Sequence, residues 1–191
     1  MATTQPIRNR KNVTALAKYF LDLLQLRNYV LVVLGFHTAL RISDLLRLTW
    51  DDVYDFDKNR VHPSIEITEK KTGKLKRIRL NRAAVWALHL YAVETAHRGH
   101  PLIINKNTGN AISRIQAYRL IRAAAEAVGI DEPVSCHSLR KTFGYHAWKS
   151  GISPVIIMEI YNHSSLAVTR RYLGVTQDDK DKVYLSLELV T

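Results

Sequence analysis

The chain has 191 residues, 47% of them hydrophobic and 24% charged, a balance that fits one globular domain able to bury roughly 70% of its unfolded surface. Its formal net charge of +11 and pI near 9.9 point to an anionic partner, nucleic acid first. The single cysteine, Cys136, excludes an internal disulfide and agrees with a reducing, intracellular setting; the start MATTQPIRNRKN lacks the apolar run of a secretory leader, and the most apolar stretch, residues 29–40, is too short to span a membrane.

Residues 1–11 read as a basic, extended arm. Asn12 is placed to cap a helix to about residue 25, in which Leu16, Tyr19, Phe20, Leu23 and Leu24 recur at helical spacing. Residues 27–38 predict a second helix, apolar enough to be mostly buried, and residues 42–48 a short third one with Ser43 as its cap. From Trp50 the period changes. Residues 53–56 and 61–68 read as strands, with Ile65-Glu66-Ile67 alternating as a half-buried strand should. Lys71-Thr72-Gly73-Lys74 has turn chemistry, and residues 75–80 alternate again, so a hairpin or three-stranded sheet with a basic tip is expected.

Asn81 then starts a helix to about residue 97, and Ser113 caps one that Gly129 ends. Ser135 or Ser138 caps the next, to Ser150; Ser153-Pro154 opens another, since proline suits a first helical turn. Ser164 or Ser165 begins a short helix carrying Tyr172. Residues 178–189 predict a last amphipathic helix with Val183, Tyr184, Leu187 and Leu189 on its apolar side. The expected fold class is mainly α with a small antiparallel β-sheet.

The chemistry concentrates in residues 135–172. A helix opening near Ser138 leaves His137 at its N-terminus, where the helix dipole favours an anion, with Arg140 in the first turn. Arginine suits a phosphate, because its planar fork donates two hydrogen bonds and stays charged. Arg41 follows Ala39-Leu40 at the end of the buried helix, where a charge is costly unless paired; Asp44, one turn on, is the expected partner. Tyr172 follows the basic pair Arg170-Arg171. Tyr145 is an alternative tyrosine, whereas Tyr161 and Tyr184 lie on apolar helix faces and are expected in the core.

Taken in order, Ala39-Leu-Arg-Ile-Ser-Asp-Leu45, the Lys71-Thr-Gly-Lys74 turn, His137-Ser-Leu-Arg-Lys-Thr-Phe143, Asn162-His-Ser-Ser165 and Thr169-Arg-Arg-Tyr172 resemble the tyrosine recombinase (phage integrase) family. The similarity runs from about Arg8 to Tyr184. It implies the family's mainly helical catalytic domain over residues 12–176, preceded by the arm 1–11 and followed by a C-terminal helix, 177–191, exchanged between protomers or packed on its own domain.

The resemblance also implies roles. Tyr172 is the nucleophile that leaves a 3′-phosphotyrosyl DNA. Arg41 and Arg140 hold the non-bridging oxygens, and Lys71 protonates the leaving 5′-oxygen, with Lys70 and Lys74 as competitors. His137 accepts a proton or donates a hydrogen bond near the nucleophile, His163 donates to a phosphate oxygen, and Asp44 steadies the arginine and His137. Lys70, Lys74, Lys141 and Arg170 are the expected DNA contacts. No metal or cofactor is implied; the partner is double-stranded DNA, on which the chain assembles as a tetramer, in a prokaryotic cytoplasm. A type IB topoisomerase-like nicking-closing activity uses the same residues, and a non-catalytic DNA-binding module shares the fold. Two departures stand out. Tyr161-Asn162 replaces the family's usual Leu-Gly, and Leu173-Gly174 follows the tyrosine where a histidine is frequent. Most members also carry an N-terminal DNA clamp, so the chain reads as a stand-alone catalytic domain or a part of a longer protein.

Overall fold

The computed structural model describes residues 4–187. Its centre is α2 (Leu26–His37), whose residues from Asn28 to Phe36 are all buried. Such a helix is apolar all round because it is packed all round, here by α1 (Arg10–Asp22), α5 (Arg82–Thr95) and α7 (Cys136–Lys149). Each large side chain so buried contributes about 1.5–3 kcal/mol. Gly35 lets α7 approach, since a Cβ there would stand 2.6 Å from Leu139 Cδ1.

Asn9, not Asn12, caps α1, its side chain accepting from the Lys11 amide. Residues 4–9 before it carry no regular secondary structure, residues 10 and 11 of the expected arm belong to α1, and the segment is anchored. Ile7 is buried, its amide donates to Thr142 Oγ1 at 2.8 Å, and its carbonyl lies 3.0 Å from His146 Nε2. The expected helix over 42–48 shrinks to the single turn α3 (Ile42–Leu45), capped by Arg41 rather than Ser43. A second turn, α4 (Trp50–Val53), stands where a strand was expected to begin; a Thr49–Asp52 capping box closes it.

The strands form two separate antiparallel pairs rather than one sheet: β1 (Tyr54–Asp55) with β2 (Arg60–Val61), and β3 (Ser64–Thr68) with β4 (Leu75–Arg79). Pro63 lies between them and has no amide proton to continue a ladder. In the second pair Ile65 faces Ile78 and Ile67 faces Lys76. Successive side chains alternate faces, so Lys76 shares the buried face with Ile65, Ile67 and Ile78. Gly73, with φ 65°, makes the turn between β3 and β4.

Helix α6 (Arg114–Ala127) carries a Ser113–Gln116 capping box, and α7 is capped by Ser135. α8 (Pro154–Tyr161) and α9 (Leu166–Leu173) follow, capped by Ser153 and Ser165. Together with α7 they enclose a second, smaller core of Ala39, Ile157, Tyr161 and Leu173. The last helix, α10 (Gln177–Ser186), departs from expectation: Tyr184 is 78% exposed rather than in the core, and Val183, Leu185 and Leu187 are also exposed. Leu189 lies outside the described residues.

Candidate active site

The site forms where α7 begins, at the seam between the two cores. α2 ends at Thr38, whose Oγ1 donates to the Leu34 carbonyl at 2.7 Å. Ala39 then adopts a left-handed backbone, φ 55°, a conformation that costs a non-glycine residue about 1–2 kcal/mol. That turn aims the Ala39 carbonyl at the Arg140 guanidinium and sends Arg41 towards the same cleft.

Arg140 is 1% exposed. Its Nη1 donates to the Ala39 carbonyl and its Nη2 to the Tyr161 carbonyl at 2.9 Å, while its guanidinium carbon lies 4.4 Å from the centre of the Tyr161 ring. Tyr161 Oη donates back to the Arg140 carbonyl at 2.5 Å. Gly144 makes this closeness feasible, since a Cβ there would meet Tyr161 Oη at 2.3 Å. Tyr161 is therefore core, and burial raises its pKa well above the ordinary phenol value. Arg140 Nε has no hydrogen-bond partner among the described residues. Burial and the charge of Arg41 lower the Arg140 pKa. A buried cation with an unused donor is an incomplete site that an anion would complete.

Arg41 does not pair with Asp44. Its Nη1 lies 3.0 Å from Oε1 of Glu69, a fully buried carboxylate just beyond β3. Glu69 also accepts from Thr72 Oγ1 at 2.8 Å and from Asn162 Nδ2 at 2.9 Å, both through Oε2. Burial would raise its pKa, but the bonds from Asn162 and Thr72 and the charge of Arg41 outweigh that and hold it below the ordinary value. Asp44, also fully buried, accepts from the Lys70 amide at 2.9 Å and lies 3.6 Å from Arg47. It steadies the hairpin turn instead of Arg41, because the lone turn of α3 directs its carboxylate to that backbone.

Lys71 is exposed on the turn and lines an open cleft of about 580 Å³ with Arg41, His137, Arg140 and Tyr172. Lys70 and Lys74 are exposed beside it. Lys76, not anticipated from the sequence, points inward and donates to the Ile160 carbonyl at 2.7 Å; burial and the Arg140 charge bring its pKa down to about 8. Arg114 and Tyr118 of α6 form the far wall. Neither was singled out in the sequence, where nothing but the helical phase of α6 ties them to the other residues.

The two histidines flank the tyrosine. The Tyr172 ring centre lies 5.0 Å from that of His137 and 4.5 Å from that of His163. Tyr172 is half-buried, on α9 of the same chain. His163 Nδ1 is 3.0 Å from Oγ1 of the buried Thr169. Desolvation, then the charges of Lys141, Arg140 and Arg41, push His137 down to about 4, although the residue is exposed. Desolvation and the charges of Arg140 and Arg41 bring His163 to about 4 as well. Both are neutral at pH 7.

The structure thus brings Arg41, Lys71, His137, Arg140 and Tyr172 into one cleft, with His163 against the Tyr172 ring. The expected outer DNA contacts fare differently. Lys141 is buried, donating from Nζ to the Thr4 carbonyl at 2.6 Å with its charge 5.5 Å from the Tyr172 ring centre, so it is engaged by the arm instead of offered to solvent. Arg170 is exposed but lines a different depression, with Arg8 and Gly174. Among the described residues, no group of three or more His, Cys, Asp or Glu side chains is placed to hold a metal, and no helix is long and apolar enough to cross a membrane.

Comparison with known proteins converges on one family. The model of the Phage integrase family matches residues 9–178. The "Probable integrase/recombinase YoeC" of Bacillus subtilis (strain 168) is 36% identical over 184 residues, covering 96% of this chain and 97% of the relative. "Tyrosine recombinase XerD" of Mycobacterium tuberculosis (strain H37Rv) is 31% identical over 163 residues, covering 80% of this chain and 49% of the relative. The chain therefore spans about half the length of that XerD relative and nearly all of YoeC. Among solved structures, that of XerA recombinase superposes with a TM-score of 0.77 at 20% identity, covering 97% of this chain and 65% of that one. The lambda integrase dimer bound to a COC′ core site gives 0.70 at 17% identity, covering 100% of this chain and 53% of that one. The solved structures share the fold. With a family match over most of its length and a relative more than a third identical almost end to end, the chain belongs to the phage integrase family, the tyrosine recombinases.

Proposed function

We propose that this chain cleaves and rejoins double-stranded DNA at specific sites as the catalytic domain of a recombinase, through a 3′-phosphotyrosyl intermediate. The observation that carries the reading is the Tyr172 ring 5.0 Å from the His137 ring and 4.5 Å from the His163 ring, at a cleft lined by Arg41, Lys71 and Arg140. Tyr172 Oη attacks the scissile phosphorus, and His137 takes its proton. Arg41 and Arg140 hold the two non-bridging oxygens, and His163 donates from Nε2 to one of them. As the phosphorus–O5′ bond breaks, Lys71 Nζ protonates the leaving oxygen. The ester bond energy is kept in the tyrosyl phosphate, so attack by a 5′-hydroxyl of either duplex reverses the step without ATP.

The cleft prepares for that charge before DNA arrives. Arg140 Nε is buried without a hydrogen-bond partner among the described residues, which costs about 1–3 kcal/mol. The pentavalent transition state, with more charge on its oxygens than the ground state, gains most from donors already in place. Donors preorganised in this way are worth about 10²–10³-fold each in rate.

The exposed Val183, Tyr184, Leu185 and Leu187 of α10 favour strand exchange in an assembly over a solitary nicking-closing enzyme. In this reading residues 177–191 dock on a second copy, and four copies act on two duplexes. A nicked suicide substrate carrying the recombination site tests the chemistry. A covalent adduct resistant to denaturation should accumulate equally with and without EDTA, and Tyr172→Phe should form none. A metal requirement, or an adduct from Tyr172→Phe, contradicts the proposal.

A further inference from the structure

Residues 70 and 72, on either side of Lys71, are each tied to a buried carboxylate. The Lys70 amide donates to Asp44 Oδ1 and the Thr72 hydroxyl to Glu69 Oε2. The Glu69 backbone closes the same turn, its amide donating to the Lys74 carbonyl at 3.0 Å and its carbonyl accepting from the Gly73 amide at 2.9 Å. The other oxygen of Glu69 faces Arg41 at 3.0 Å. Lys71 itself is exposed, and a lysine on a hairpin tip has a long, flexible stem. Its reach is fixed only as well as its backbone is.

Glu69 extends this tie to the other side of the site. Asn162 adopts a left-handed backbone, φ 51°, and its Nδ2 donates to Glu69 Oε2. Ile160, Tyr161 and Asn162 are thus held in succession by Lys76, Arg140 and Glu69, and His163 follows directly. One buried carboxylate therefore touches Arg41, the Lys71 turn and the His163 turn.

We infer that Glu69 is a positioning residue that sets the Lys71 turn against Arg41 and the His163 segment, so that the Lys71 ammonium meets the leaving oxygen. The inference rests on the reading of Lys71 as the acid that protonates that oxygen. Glu69 touches no substrate in this account. A well-placed acid contributes about 10²–10⁴-fold in rate, and a turn displaced by a lost anchor forfeits part of that.

Cleavage of two suicide substrates tests it, one with an oxygen and one with a sulfur bridging the scissile phosphorus to the 5′-carbon. Sulfur departs as a thiolate and needs no proton, so only a defect in proton delivery disappears on it. Lys71→Ala should be slowed about 10²–10⁴-fold on the oxygen substrate and restored on sulfur. Glu69→Gln should be slowed about tenfold or more on oxygen, with DNA affinity within about twofold of wild type, and return to within about threefold on sulfur. Thr72→Val, which removes one anchor and leaves the buried charges paired, should show the same pattern at about fivefold. It decides the matter if Glu69→Gln does not fold. If Lys71→Ala is rescued while these variants stay equally slow on both substrates, Glu69 does not position Lys71, and this inference alone is overturned. If Lys71→Ala is not rescued, the acid assignment fails and takes the inference with it.

Discussion

The cleft and α10 handle polarity in opposite ways. In the cleft, charged groups are buried: Arg140, Asp44 and Glu69 are at most 1% exposed, and their hydrogen bonds cross between elements far apart in sequence. On α10, apolar groups are exposed, with Tyr184 and Leu185 at 78% and 80%. Burying charge is costly unless it is paired, and leaving several hydrocarbon side chains in water forfeits about 1.5–3 kcal/mol for each. Neither arrangement serves the stability of an isolated domain. The first fits a site that awaits an anion, and the second fits a surface that awaits a protein.

The largest effect is expected at Arg140, among the most buried charges of the cleft. In the proposed mechanism Arg140→Ala removes a transition-state donor, and it leaves the Ala39 and Tyr161 carbonyls without their partner. We expect adduct formation to fall by about 10²–10³-fold or more, measured in single turnover with saturating DNA. A loss below tenfold would mean that Arg140 is structural only.

A second test uses pH. His137 and His163 both have folded values near 4, below the ordinary 6.5, and burial lowers His37 and His146 too. A lowered histidine value means that the unfolded chain binds more protons than the folded one between those limits. Their contribution to stability is therefore complete above pH 6.5 and is lost as pH falls towards 4. The thermal midpoint without DNA should drop across that window, and less steeply in the double variant His137→Gln, His163→Gln. An identical slope in that variant would contradict the assigned environments.

The smallest effect on chemistry belongs to α10. Tyr184→Ser with Leu185→Ser should leave adduct formation within about twofold of wild type, because neither side chain reaches the cleft, while recombination between two duplexes is lost. Cleavage and recombination falling together would tie α10 to the site and erase the contrast.

The sequence carried some of this plainly. Helical spacing, serine and asparagine caps and the hairpin turn predicted most elements, because each signal is local. The buried pairings were not legible. Asp44 is one turn from Arg41, and helical proximity favoured that pair, yet Arg41 joins Glu69 because Arg41 is the N-cap of α3, with an extended and not a helical backbone, so the two side chains do not share a helix face. Glu69, beside the basic turn, was not among the residues singled out in the sequence. Only the β3–β4 register shows it turning inward, and the same register puts Lys76 in phase with Ile78. Lys141 follows Arg140 in the motif but lies on the side of α7 covered by the N-terminal arm, a contact 137 residues apart that no periodicity reveals. For Tyr184 the amphipathic pattern was read as a sign of burial, although such a face equally suits a partner not yet present.

In the proposed mechanism Tyr172, beside His137 and His163, is the residue that becomes joined to DNA. Tryptic digestion of the trapped adduct, followed by nuclease trimming and peptide mass spectrometry, reads that directly. The nucleotide mass should sit on the peptide that begins at Tyr172 and ends at Lys180, with fragment ions placing it on the tyrosine. The same mass on a peptide containing Tyr145, Tyr161 or Tyr184 would contradict the account.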